Sequence, residues 1–69
     1  MSSKLVIVKG EGEAQQILCF ARSSGQFWRP VHTERLMGFS STRLFDTHKG
    51  ALLARNLMGG ETLTVLHTG

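Results

Sequence analysis

The last third of the chain constrains the fold most, because its backbone chemistry changes twice between Thr42 and His67. Arg43-Leu44-Phe45 reads as a short strand. Thr47 or Asp46 then offers a side-chain oxygen to the free N–H groups of a first helical turn. Gly59-Gly60 supplies the left-handed residue that commonly closes a helix. From Glu61 to Leu66 the pattern is that of a strand, Leu63 and Val65 alternating with Thr62 and Thr64. Within the helix, Gly50, Leu53, Ala54, Leu57 and Met58 are expected on the inward face, and Gly50 and the two alanines allow close approach to a sheet.

The first half adds three strands. Lys4–Lys9 is β-branched and apolar on both faces, as an interior strand requires. Gly10-Glu11-Gly12-Glu13 is a turn or loop. Gln16–Arg22 is a second strand, Ser23-Ser24-Gly25 a hairpin turn and Gln26–Val31 a third strand. Pro30 cannot donate to a ladder, which places that third strand at an edge. Thr33 to Met37 reads either as one helical turn ended by Gly38, with Phe39 folded back on the core, or as a loop. The sequence thus predicts one α+β domain over residues 1–69, in the order β-β-β-β-α-β. Its four or five short, mainly antiparallel strands form a two-layer domain packed on one C-terminal helix. If the strands flanking that helix are parallel neighbours, they form a right-handed crossover.

A chain of 69 residues buries a small core, and small domains draw support from disulfides, metals or self-association. The single cysteine, Cys19, excludes an internal disulfide and fits a reducing compartment. Only four apolar residues, Leu5 to Val8, follow the N-terminal Lys4. That is too few for a secretory signal, and a membrane span needs about 20. A soluble, cytoplasmic protein is expected. A net charge of +3 permits an anionic partner, although the eight Lys and Arg are spread along the chain.

Few residues suit catalysis. Cys19 lies mid-strand between Leu18 and Phe20, a setting for an inert, buried thiol. His32, His48 and His67 are spaced by 16 and 19 residues, which matches no metal-ligand pattern. Gly10-Glu11-Gly12 puts an acid where a phosphate would sit, and Gly59-Gly60 follows a helix instead of preceding one. No enzyme activity, cofactor or metal is expected.

Binding is the remaining class. The hairpin Arg22 to Arg29 interleaves two arginines with Phe27 and Trp28, one ring of which must face the core. Arg22, Trp28, Arg29 and Arg43 form a candidate nucleic-acid surface, aromatic for base stacking and cationic for phosphate. Trp28 and Arg29 together with Leu36, Met37 and Phe39 form a candidate protein-docking surface, provided the three apolar residues are exposed instead of plugging the core. A free sheet edge could also recruit a partner strand or a second copy. The strands followed by Thr47, Ala51, Leu52 and Arg55, and then a closing strand, resemble the layout of tiny α+β proteins that include phage-encoded inhibitors of host enzymes. That layout covers under half of the chain. The leading expectation is a small, non-enzymatic regulatory or inhibitory protein that docks onto a protein partner, of the kind phages and mobile elements encode. The alternative is a basic nucleic-acid-binding protein.

Overall fold

The computed structural model describes residues 4–60 and 62–68. Met1 to Ser3, and the expected start of the last strand at Glu61, lie outside these. Among the described residues, β1 (Leu5–Lys9), β2 (Gln16–Ala21), β3 (Gly25–Pro30) and β4 (Thr64–His67) form one antiparallel sheet in the order β3-β2-β1-β4. Two helices accompany it, α1 (Val31–Leu36) and α2 (His48–Leu57). The α+β class read from the sequence is the class observed. Pro30 does sit on an edge strand, where its missing N–H costs no ladder bond.

β1 occupies the interior because its side chains are apolar in both directions. Leu5, Val6, Ile7 and Val8 are all buried, at 3% exposure or less. Alternation along the strands separates two faces. On one face, Val6, Val8, Ile17 and Cys19 form a cluster joined by Phe27, Val31 and Phe39. Leu5, Ile7 and Leu18 therefore point to the other face. α1 packs on β2 and β3, and α2 packs on β1 and β4.

The segment expected as a fourth strand, Arg43 to Phe45, makes no continuous ladder. β1 and β2 pair directly only at Val8–Ile17 and Lys9–Gln16 and then diverge. Residues 41–45 fill the gap with two isolated bridges, one to Cys19 through Thr42 and one to Leu5 through Phe45. The bonds are Phe20 N–H to Ser41 O (2.8 Å), Arg43 N–H to Leu18 O (3.0 Å) and a reciprocal pair between Leu5 and Phe45 (2.9 Å each). Phe45 and β4 both run antiparallel to β1, on opposite sides of it. They are consequently parallel to each other with β1 between them, a split β-α-β unit and not a pair of neighbours.

Thr47 is the N-cap of α2, its hydroxyl accepting from Gly50 N–H at 3.1 Å. Asp46 instead pairs with Lys4. At the other end Gly60 N–H bonds Arg55 O and Gly59 N–H bonds Asn56 O, with Gly59 at φ +65°. This is the Schellman arrangement, in which a left-handed residue lets the last carbonyls find donors.

The inward face of α2 differs from the expected one. Ala51 is fully buried, whereas Leu53 and Leu57 are 55% and 89% exposed. At about 100° per residue, Leu53 lies on the far side of the helix from Ala51. The small Ala51 lets the helix approach β1 closely, so the large leucines are left outside.

Candidate functional site

α1 resolves the segment that the sequence left open. It is a single short helix followed by Gly38 (φ +67°) and Phe39 (φ +58°), which turn the chain back so that the Phe39 ring packs on the core. Leu36 is 87% exposed and Met37 48%. The proposed docking set therefore divides. Leu36 and Met37 are surface residues and Phe39 is a plug.

Trp28 and Arg29 also separate. Arg29 lies opposite Ile17 on the α1 face, and Trp28 lies opposite Leu18 on the other face. Arg29 reaches from β3 to α1, where Nη1 donates to Glu34 Oε2 at 3.2 Å and lies 3.4 Å from Met37 Sδ. Glu34 is fully buried, yet it reads in the sequence as an ordinary solvated helix residue. Its Oε1 accepts from the Thr42 hydroxyl at 2.7 Å and from Ser41 N–H at 3.1 Å. Burial alone would raise its pKa. The bonds from Thr42 and Ser41, with the nearby Cys19 thiol and the Arg29 charge, outweigh burial and hold Glu34 below the usual carboxylate range. Cys19 is buried with its thiol turned toward Ile17 O at 3.6 Å. Burial first, and the Glu34 charge second, push it up to about 11, so at neutral pH it is no nucleophile.

The second face carries the more coherent surface. α2 packs chiefly on β1 and β4; on the β2–β3 half of that face Leu18 is fully buried, whereas Phe20 is half exposed. Leu18 lies opposite Trp28 and Phe20 follows two residues on, which makes Phe20 and Trp28 diagonal neighbours on adjacent strands, roughly 7–8 Å apart. Phe20 is 49% exposed and Trp28 partly buried. Lys9, also on this face, places Nζ 4.4 Å from the Trp28 ring centre. Arg43 lies over Phe45 at 5.1 Å, and Arg22 is exposed in the hairpin turn beyond Phe20. Among the described residues, the two ion pairs use Lys4 with Asp46 and Arg29 with Glu34. Of the other Lys and Arg, none of which has a carboxylate partner there, Lys9, Arg22 and Arg43 lie on or beside this face.

Of the four residues read as a nucleic-acid surface, the fold puts Trp28 and Arg43 on one face and Arg29 on the other, with Arg22 exposed in the hairpin turn. Phe20 and Lys9 were missed. Phe20 shares the alternation phase of Leu18, which marks it as core until the length of α2 coverage is known.

Two depressions among the described residues bear on function. One of about 360 Å³ is lined by Phe20, Ser40, Ser41, Thr42 and Arg43, and one of about 710 Å³ by Gly12, Glu13, Gln15, Val31 and His32. The first contains a cation and no acid. The second contains the Glu13 carboxylate. Among the described residues, no group of three or more His, Cys, Asp or Glu side chains could hold a metal ion, and no helix is long and apolar enough to cross a membrane. No protein-family model matches the chain, and no curated protein or solved structure matches it significantly.

Proposed function

We propose that this is a non-catalytic binding protein whose exposed β2–β3 face engages single-stranded nucleic acid. The observation that carries the reading is the diagonal pairing of half-exposed Phe20 and partly buried Trp28 on β2 and β3, flanked by Lys9, Arg22 and Arg43, which have no carboxylate partner among the described residues. An aromatic ring on an open sheet offers a flat surface on which an unpaired base stacks, and neighbouring cations neutralise its phosphates. Bases inside a duplex have no free face, so the reading selects single strands. The free, buried Cys19 suits a reducing, cytoplasmic setting. The test is fluorescence anisotropy of a labelled single-stranded oligomer against its own duplex. Preference for the single strand, lost in Trp28→Ala, supports the reading. Equal or absent binding contradicts it.

A second reading, docking onto a protein partner as a regulator or inhibitor, is favoured by Leu36 and Met37, which project beside Arg29 at the end of α1. Methionine and arginine are both enriched in the buried core of protein interfaces. Its surface lies on the opposite face from Trp28, so the two readings separate by mutation. Met37→Asp abolishes partner capture under the docking reading and leaves oligomer affinity unchanged under the first.

A further inference from the structure

We propose that the depression between Phe20 and residues 40–43 is the subsite for one nucleotide of a single strand, its base lying on the Phe20 ring and its phosphate held by Arg43 with the Ser40 and Ser41 hydroxyls. This deepens the nucleic-acid reading and rests on it. The depression, about 360 Å³, is lined by one aromatic ring, Phe20, and by the polar residues Ser40, Ser41, Thr42 and Arg43. Among the described residues neither serine hydroxyl has a hydrogen-bond partner, whereas the Thr42 hydroxyl is committed to Glu34. The rim therefore presents two hydroxyl donors and a guanidinium with no acid, which is the chemistry of an anion site. Arg43 is a planar fork that meets two phosphate oxygens at once.

The site is also held in place. Ser41 O and Arg43 N–H are bonded to β2 on one side, and Ser41 N–H and the Thr42 hydroxyl to buried Glu34 on the other. The 40–43 segment is thus clamped before any ligand arrives, which lowers the ordering cost of binding. A bare phosphate would leave Phe20 unused. A free mononucleotide would leave Trp28, Lys9 and Arg22 unused. A nucleotide within a strand uses all of them, since the strand continues from the depression across the sheet.

The experiment is an amide-resolved NMR titration of the protein with a single-stranded hexamer, a nucleoside monophosphate and inorganic phosphate in turn. The hexamer shifts Phe20, Ser40 to Arg43 and Trp28. The monophosphate shifts only the depression, at higher concentration, and inorganic phosphate shifts little. Phe20→Ala and Arg43→Gln each weaken the hexamer about tenfold, and Arg43→Gln lowers the slope of log affinity against log salt by about 0.7. Phe20→Leu and Arg43→Lys, with native amide spectra, replace any variant that does not fold. Hexamer binding unchanged in both variants overturns the subsite and leaves the nucleic-acid reading standing. Inorganic phosphate shifting the depression as strongly as the monophosphate also overturns it, reducing it to a plain anion site. No binding of any oligomer overturns both.

Discussion

The Thr42 hydroxyl donates a 2.7 Å hydrogen bond to Glu34 Oε1 in the interior of the protein. That contact lies on the α1 side of the sheet and ties the segment that carries Arg43 to α1. Glu34 belongs to α1 on the core-cluster side, and Thr42 precedes Arg43, which faces the open side. A buried carboxylate is stable only when its lone pairs are met by donors. Here Thr42, Ser41 and Arg29 meet them, and the price of burying Glu34 is recovered as a fixed 40–43 segment.

Removing the carboxylate should strand those donors. Glu34→Ala is expected to destabilise the protein by about 3 kcal/mol, the sum of two or more charge-assisted bonds less relaxation. Arg29→Met should cost less, about 1 kcal/mol, because Arg29 is partly solvated and Thr42 and Ser41 remain in place. Urea unfolding of both variants checks the order. A larger loss for Arg29→Met would show that the ion pair, and not the Thr42 and Ser41 bonds, anchors Glu34.

The same carboxylate sets an acid limit. Its folded-state pKa lies below the ordinary 4.5, so the stability it contributes is fully present above about pH 4.5. That contribution declines as pH falls through the lowered folded-state value, where both states become protonated. Urea midpoints measured from pH 6 to pH 3 should fall, and the fall should be shallower in Glu34→Gln. Equal slopes in the two proteins would remove Glu34 from the account.

Cys19 should be silent in the native state. Buried and with its pKa pushed up to about 11, the thiol should resist iodoacetamide at pH 8 and react once urea unfolds the chain. Stoichiometric labelling of the native protein would mean that the core around Val6, Ile17 and Cys19 opens readily.

The packing of α2 predicts an inversion of the usual size rule. Ala51→Leu should cost about 2 kcal/mol by overpacking the helix against β1. Leu57→Lys, at a position 89% exposed, should change stability by about 0.5 kcal/mol or less. Thermal denaturation separates them. A large loss for Leu57→Lys would mean that the leucine side of the helix is covered in solution.

Local chemistry made much of the fold legible. Leu5 to Val8 announces a strand buried on both sides, Pro30 an edge, Thr47 a cap, and Gly59-Gly60 a helix end, because each depends on neighbouring residues alone. What escaped depends on contacts distant in sequence. Arg43 to Phe45 has strand composition, but its bonds go to two diverging strands, which no local pattern records. Leu53 and Leu57 look like core until the close approach of Ala51 fixes the rotation of the helix. Glu34 carries no sequence sign of burial, since its donors come from β3 and from residues 41 and 42. The candidate site was half visible for the same reason. Arg22, Trp28 and Arg43 were found by residue type, whereas Phe20 became a surface residue only through what α2 does not cover.

The measurement that tests the account most directly is quenching of Trp28 fluorescence by a single-stranded oligomer, titrated at several salt concentrations. Trp28 is the sole tryptophan and stands on the proposed surface, so the signal reports that face alone. Saturable quenching is expected, with log affinity falling against log salt at a slope of about −2, as for three phosphates met by Lys9, Arg22 and Arg43. An emission spectrum that oligomer leaves unchanged at low salt would contradict the assignment of the β2–β3 face to nucleic acid.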